Sequence, residues 1–308
     1  MIFPVADGHC DFLYGAVQSG YDLVHKKRDQ VINLADMQAG HVALQFFACW
    51  TDTTLRTPPL HQCIAMIDAY NRMLDAHPEL ERFTPDFTPD SGKIATVLTV
   101  EGGEAVDGSC AVLRVLHRLG VRAMTLTWNE ANELSGAAMA RNNRGLTAIG
   151  REMIDEMCRI GIAIDVAHLS DKGIDDILDR TTKPIFASHS NARSVYDTPR
   201  ALKDEHIRAI SQSGGVVGVN FYYQQLSSKG RASIQDIVRH ICRVVEVGGI
   251  NCCAIGSDFD GMQQYPVDLR TSRDFPALLH ALSRAGFTDQ EIYQISYQNL
   301  ANYISQFV

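Results

Sequence analysis

A chain of 308 residues can fold as one large barrel or as two modest domains. With 45% hydrophobic and 21% charged residues it has the composition of an ordinary globular protein, and a formal net charge of −8 argues against nucleic acid or an anionic membrane surface as the main partner. No run of about 18 uninterrupted apolar residues exists, so no transmembrane helix is expected.

Apolar, strand-like runs recur roughly every 30–40 residues. They are Ile2–Ala6, His41–Trp50, Lys93–Val100, Val121–Thr127, Gly161–Ala167, Pro184–Ser188, Gly215–Asn220 and Cys252–Ser257. Most are continuous rather than alternating, as parallel strands buried on both faces should be. A short amphipathic piece, Gln30–Ala39, precedes the second run. Leu60–Ala76, Glu104–Leu119, Gly145–Ile160, Lys172–Asp179, Asp204–Ser213, Ser233–Val247 and Asp274–Ala285 carry apolar residues three and four apart and are predicted helices. Gly120, Gly161, Gly214, Gly248 and Gly286 close several of them, in the position where a helix stops in a left-handed turn. Phe83–Gly92 is the longest irregular stretch. The alternation predicts a single (β/α)8 TIM-type barrel domain over residues 1–308, with Thr288–Ser305 as an extra C-terminal helix packed outside it. The eight cysteines form no CxxC pair and follow no export signal, so they read as buried free thiols in a reducing compartment. The N-terminus has no basic stretch followed by an apolar one, which points to the cytoplasm.

Chemistry in such a barrel sits where strands end at their C-terminal face. The first strand runs into Asp7-Gly8-His9-Cys10-Asp11. In an extended backbone His9 and Asp11 point to one side and Cys10 to the other, and an imidazole with a carboxylate makes a divalent-metal ligand pair. The third strand delivers Glu101, before Gly102-Gly103. The fifth delivers His168 in Asp165-Val166-Ala167-His168, the sixth His189 in Ser188-His189-Ser190, and the eighth Asp258 in Gly256-Ser257-Asp258-Phe259-Asp260-Gly261. Strands two, four and seven end in Trp50, Trp128 and Asn220, outside that ligand set. Each residue alone is a weak signal, since a lone buried histidine is usually a satisfied core residue and a lone carboxylate after a strand is commonly a helix cap. Five strand ends in agreement are a strong one. Five ligands serve two ions if one carboxylate bridges them, and Glu101, between the other groups in barrel order, is the natural bridge. Two ions about 3.5–4 Å apart can share a hydroxide and polarise a carbonyl. That leaves Asp258 to carry a proton between water and leaving group.

The order HxD, EGG, DxxH, SHS, GSDFDG closely resembles the membrane (renal) dipeptidase family of zinc metallopeptidases, over residues 5 to about 265, with QFF after the second strand and MTLTWN after the fourth. The resemblance implies hydrolysis of dipeptides, often with a D-residue at the C-terminal position, by two zinc ions. It implies His9, Asp11 and Glu101 on one ion, Glu101, His168 and His189 on the other, and Asp258 as acid/base. It also implies an arginine that grips the substrate carboxylate in bidentate fashion, at Arg200 in Thr198-Pro199-Arg200-Ala201-Leu202, with Arg193 as the nearby competitor. Trp128 stands where relatives often carry a substrate-contacting histidine. It can donate a hydrogen bond but cannot act as an acid at neutral pH or as a metal ligand. Mixed histidine and carboxylate sites also accept manganese, cobalt or iron. The implied partner is a small dipeptide, and a homodimer is a common assembly by the same resemblance. The alternatives are another metal-dependent amidohydrolase on this barrel, such as an N-acyl amino acid hydrolase, and a metal-binding protein without turnover. A spare carboxylate at Asp258 argues against the latter.

Overall fold

Nine short strands run parallel in one curved sheet: β1 (Val5–Asp7), β2 (Val42–Trp50), β3 (Leu80–Arg82), β4 (Ile94–Glu101), β5 (Val121–Thr125), β6 (Ala163–Asp165), β7 (Ile185–Phe186), β8 (Val217–Val219) and β9 (Cys253–Ile255). The computed structural model describes residues 2–228 and 230–308. The apolar runs form strands because both faces are covered: every residue of β4 is buried, as are all but the last of β2. The strand order is β7-β6-β5-β4-β2-β1-β9-β8. An isolated parallel bridge between Ala187 and Val217 joins the two ends, with Ala187 N–H donating to Val216 O at 2.9 Å and Gly218 N–H to Ala187 O at 2.8 Å. Eight strands thereby make a nearly closed barrel. Gly218 is required at that seam, because a Cβ there would stand 2.1 Å from the Ser188 carbonyl oxygen.

Inside the barrel, Ala6, Ala43, Ala95, Ala123, Ala163 and Ala254 each lend a small side chain, and Phe46 and Phe186 fill the space between them. The outer helices hold to the sheet by one apolar stripe. Ile234–Gly248 buries Ile234, Ile237, Val238, Ile241 and Val244, and a reciprocal Ser233–Asp236 capping box fixes its start. Among the described residues no helix is long and apolar enough to cross a membrane.

Several details depart from the sequence expectation. Glu104–Leu119 divides into a 3-10 turn, Gly103–Val106, and a helix, Cys110–Arg118, because Asp107 and Gly108 both take left-handed backbone. A helix at Phe12–Gln18 and the strand β3 had no counterpart in the sequence reading; β3 pairs the lower half of β4, on the edge that β5 leaves open. The C-terminal segment is helical as expected, in three pieces with a π-turn at Gln294–Gln298. It packs outside the barrel, across its N-terminal end: Tyr303 packs on Phe186 and donates to Pro184 O, and Asn299 donates to Ile250 O and Cys253 O. All eight cysteines are unpaired, though Cys242 is exposed and Cys110 and Cys158 are half-buried.

Candidate metal centre

The six groups expected from the strand ends converge on one point. His9 Nε2 lies 3.4 Å from Asp11 Oδ2 and 3.4 Å from Glu101 Oε2. His168 Nε2 lies 2.9 Å from Glu101 Oε1, and His189 Nε2 lies 3.5 Å from the same oxygen. Glu101 therefore turns one oxygen to each half of the cluster. Asp258 joins the first half, for His9, Asp11 and Asp258 lie within mutual ligand reach, as do His9, Glu101 and His189.

Neighbours fix the orientation of these side chains. His168 Nδ1 pairs with Asn129 Oδ1 at 3.0 Å and His189 Nδ1 with Ser188 Oγ at 2.8 Å, which turns both Nε2 atoms inward. Those two Nε2 atoms are 2.9 Å apart. Burial, reinforced by Arg200, pulls His168 down to about 4. Burial, reinforced by His9, holds His189 well below the usual histidine range. His9 Nε2 and Asp11 Oδ1 are buried without hydrogen-bond partners. Burial raises Glu101, but His9 and His168 outweigh it and keep its carboxyl well below the ordinary value. A charged carboxylate, inward ring nitrogens and orphaned polar atoms together fit a divalent-metal site.

Asp258 stands apart from this charged state. Burial pushes it up to about 8, with Asp11 and Glu101 adding to the effect against His9 and an Asn220 hydrogen bond at 3.1 Å. His168 and Asp258 both sit in left-handed backbone, φ 67° and 65°, a strain that marks functional sites. Gly261 lets the chain pass above them: a Cβ there would stand 2.2 Å from Asp11 Oδ2 and 2.4 Å from Asp258 Oδ1.

The cluster opens into a cleft of about 550 Å³. Arg200 lines it, buried, with Nη2 donating to His189 O at 3.3 Å and Nε lacking a partner. Burial lowers it to about 10, which leaves it charged at neutral pH. Arg193 is committed elsewhere, in a bidentate pair with Asp171 at 2.8 Å for both contacts. Trp128 also lines the cleft, edge-on to Trp50 at 4.9 Å and 6.3 Å from the His168 ring. Tyr14 continues this aromatic wall, 4.7 Å from Trp50. The sequence reading passed over Asn129, Ser188 and Tyr14, and took Asn220 only as a non-ligand. Asp7 and Asp165 had a visible signal: each is a charged residue within an otherwise apolar strand.

The model of the membrane dipeptidase family, peptidase family M19, matches residues 2–307. This chain belongs to that family. Among its relatives, an uncharacterised dipeptidase of Schizosaccharomyces pombe is 34% identical over 84% of this chain and 68% of its own length. Dipeptidase 3 of Rattus norvegicus is 31% identical over 99% of this chain and 65% of its own length. The chain thus spans about two thirds of the length of these family members. Two solved structures share the fold. A metallo peptidase from Rhodobacter sphaeroides, liganded with a phosphinate mimic of the dipeptide L-Ala-D-Ala, has a TM-score of 0.91 at 23% identity, with both chains fully covered. Dipeptidase AC, a metallo peptidase of family M19, has a TM-score of 0.92 at 24% identity, over 100% of this chain and 99% of its own. The metallo-dipeptidase expectation drawn from HxD, EGG, DxxH, SHS and GSDFDG therefore stands at the level of the M19 family.

Proposed function

We propose that this M19 chain is a two-ion dipeptidase, and that the ions are zinc. The observation that carries the reading is Glu101, whose two oxygens face two different sets of ligands. His9 and Asp11 would hold the first ion, His168 and His189 the second, and Glu101 both. When bound, such ions supply Lewis acidity and an activated water.

The chain's own residues do the rest. Arg200 pairs with the C-terminal carboxylate of the substrate and so fixes which carbonyl reaches the cluster. Asp258, with its raised affinity for a proton, takes one from the attacking water and returns it to the departing amine. Trp128, Trp50 and Tyr14 shield one side of the cleft from solvent. The relative crystallised with a mimic of L-Ala-D-Ala supports tolerance of a D-residue at the C-terminal position here.

A substrate panel on zinc-loaded protein tests this. Free L,L and L,D dipeptides should be hydrolysed well. Their C-terminal amides lose a charge-assisted contact of about 1.5–3 kcal/mol and should be roughly ten- to a hundred-fold poorer in kcat/KM. Arg200→Met should narrow that gap by slowing the free dipeptide. Equal rates on a dipeptide and its amide would remove the role of Arg200. Preference for N-acyl amino acids would replace the dipeptidase reading with that of a broader amidohydrolase.

A further inference from the structure

Two buried aspartates outside the ligand set are bound in one repeated pattern. Asp7 is the last residue of β1 and Asp165 the last of β6, and their exposures are 0% and 3%. Oδ1 of Asp7 accepts the backbone N–H of Ser257 at 2.7 Å and of His9, two residues on, at 3.4 Å. Oδ1 of Asp165 accepts the backbone N–H of Ser188 at 2.9 Å and of Ala167, two residues on, at 3.0 Å. Ser257 immediately precedes Asp258, and Ser188 immediately precedes His189. The second oxygens are met by side chains. Ser257 Oγ at 2.6 Å and Gln45 Nε2 at 3.1 Å reach Asp7 Oδ2, and Thr125 Oγ1 at 2.7 Å reaches Asp165 Oδ2.

Among the described residues neither aspartate has an ion-pair partner, and a buried carboxylate without one is costly to keep. The same arrangement nevertheless occurs twice, at opposite poles of the cluster. In each case one carboxylate oxygen clamps two strand ends together at the residues that lead into the site. One acceptor oxygen shared by two backbone N–H groups ties the two strand ends, so the clamp fixes the spacing of the side chains that follow.

We infer that Asp7 and Asp165 are positioning residues, each governing a different ion: Asp7 the His9–Asp11–Asp258 pole and Asp165 the His168–His189 pole. The inference rests on the two-ion reading. Asparagine keeps the size of either side chain but replaces one acceptor oxygen with a donor, so each Asn variant loses part of its clamp. Outer partners of this kind typically change metal affinity about 10–100-fold. Zinc content by elemental analysis, followed through competition with a chelator, is the readout. Wild type should retain two ions, and Asp7→Asn and Asp165→Asn should each weaken one. In a His189→Ala background, which removes the second pole, Asp7→Asn should weaken the ion that remains and Asp165→Asn should add nothing. Gln45→Met and Thr125→Val remove a single donor each and should reproduce the one-sided pattern more weakly, which decides the matter if an Asn variant does not fold. Equal weakening of both ions by either aspartate, or no weakening in a protein that retains two ions, overturns the inference. A wild type that retains fewer than two overturns the two-ion reading instead.

Discussion

The orientation of Asp258 depends on one amide. Asn220 Oδ1 accepts the backbone N–H of Tyr222, so the Asn220 amino group must face Asp258 Oδ2. That leaves a carboxyl raised to about 8, at the edge of the cluster, free to exchange its proton. Asp258→Asn should keep both ions yet lose about 10²–10⁴-fold in kcat, the usual contribution of a positioned acid/base. Zinc content measured beside kcat separates the roles, since loss of an ion with the activity would make Asp258 a ligand. At this scale the proposed ligands were legible because each stands at the end of an apolar strand. Asn129 and Asn220 were not, because an asparagine after a strand looks like any turn residue until its amide is seen to hold a histidine or an aspartate. Trp128 was legible as a departure, but the aromatic wall it forms with Trp50 and Tyr14 joins two strand ends and the helix Phe12–Gln18, which sequence spacing cannot bring together.

The loops after β7 and β8 are tied by a histidine on an outer helix. His240, on Ile234–Gly248, accepts the Ala192 N–H at Nδ1 and donates to Leu226 O from Nε2, so it is held as one neutral tautomer. Burial lowers it to about 4; the Leu226 contact opposes this and Arg239 adds to it, against Asp236. Its folded pKa lies below the unfolded value of 6.5, so the unfolded chain takes up the proton first. The stability it contributes is complete above pH 6.5 and is lost as pH falls to about 4, by up to about 3 kcal/mol. Urea unfolding between pH 7 and 4 should show that decline, and His240→Gln should flatten it; an unchanged slope would take His240 out of the account. Element type was readable from period and burial, while several boundaries were not. The apolar runs extend past the paired residues, as at Ile185–Phe186, where Pro184–Ser188 was expected, because inward packing continues after the ladder ends. β3 is invisible in sequence: Leu80-Glu81-Arg82 becomes a strand only because β4 offers an unpaired edge.

For the molecule as a whole, the proposed ligands come from four strand ends, so bound ions would brace the barrel mouth. Ligands that bind only the folded state add about 2.7 kcal/mol at a hundred times their dissociation constant. In a barrel of this size, at about 2–4 °C per kcal/mol, chelation should lower Tm by roughly 5–10 °C, recovered on adding zinc. Scanning calorimetry with and without chelator checks this, and an unchanged Tm would mean the folded chain holds no ions. The barrel was legible because strand and helix patterns alternate along the whole chain, whereas its closure through a single bridge at Ala187 and Val217 depends on contacts no local pattern encodes. The contact between Asp7 and Ser257 spans 250 residues. During synthesis His9 therefore emerges long before the strand that completes its pole of the site, by about ten to fifty seconds at ordinary ribosomal speeds. Through that interval a nascent chain displays an HxD pair with no Asp258 to work beside it. On the proposed role of Asp258, hydrolysis would begin only after β9 has arrived, and the growing polypeptide would pass its own synthesis as an inert precursor. Ribosome-bound chains stalled before Cys253 should accordingly leave dipeptides uncut.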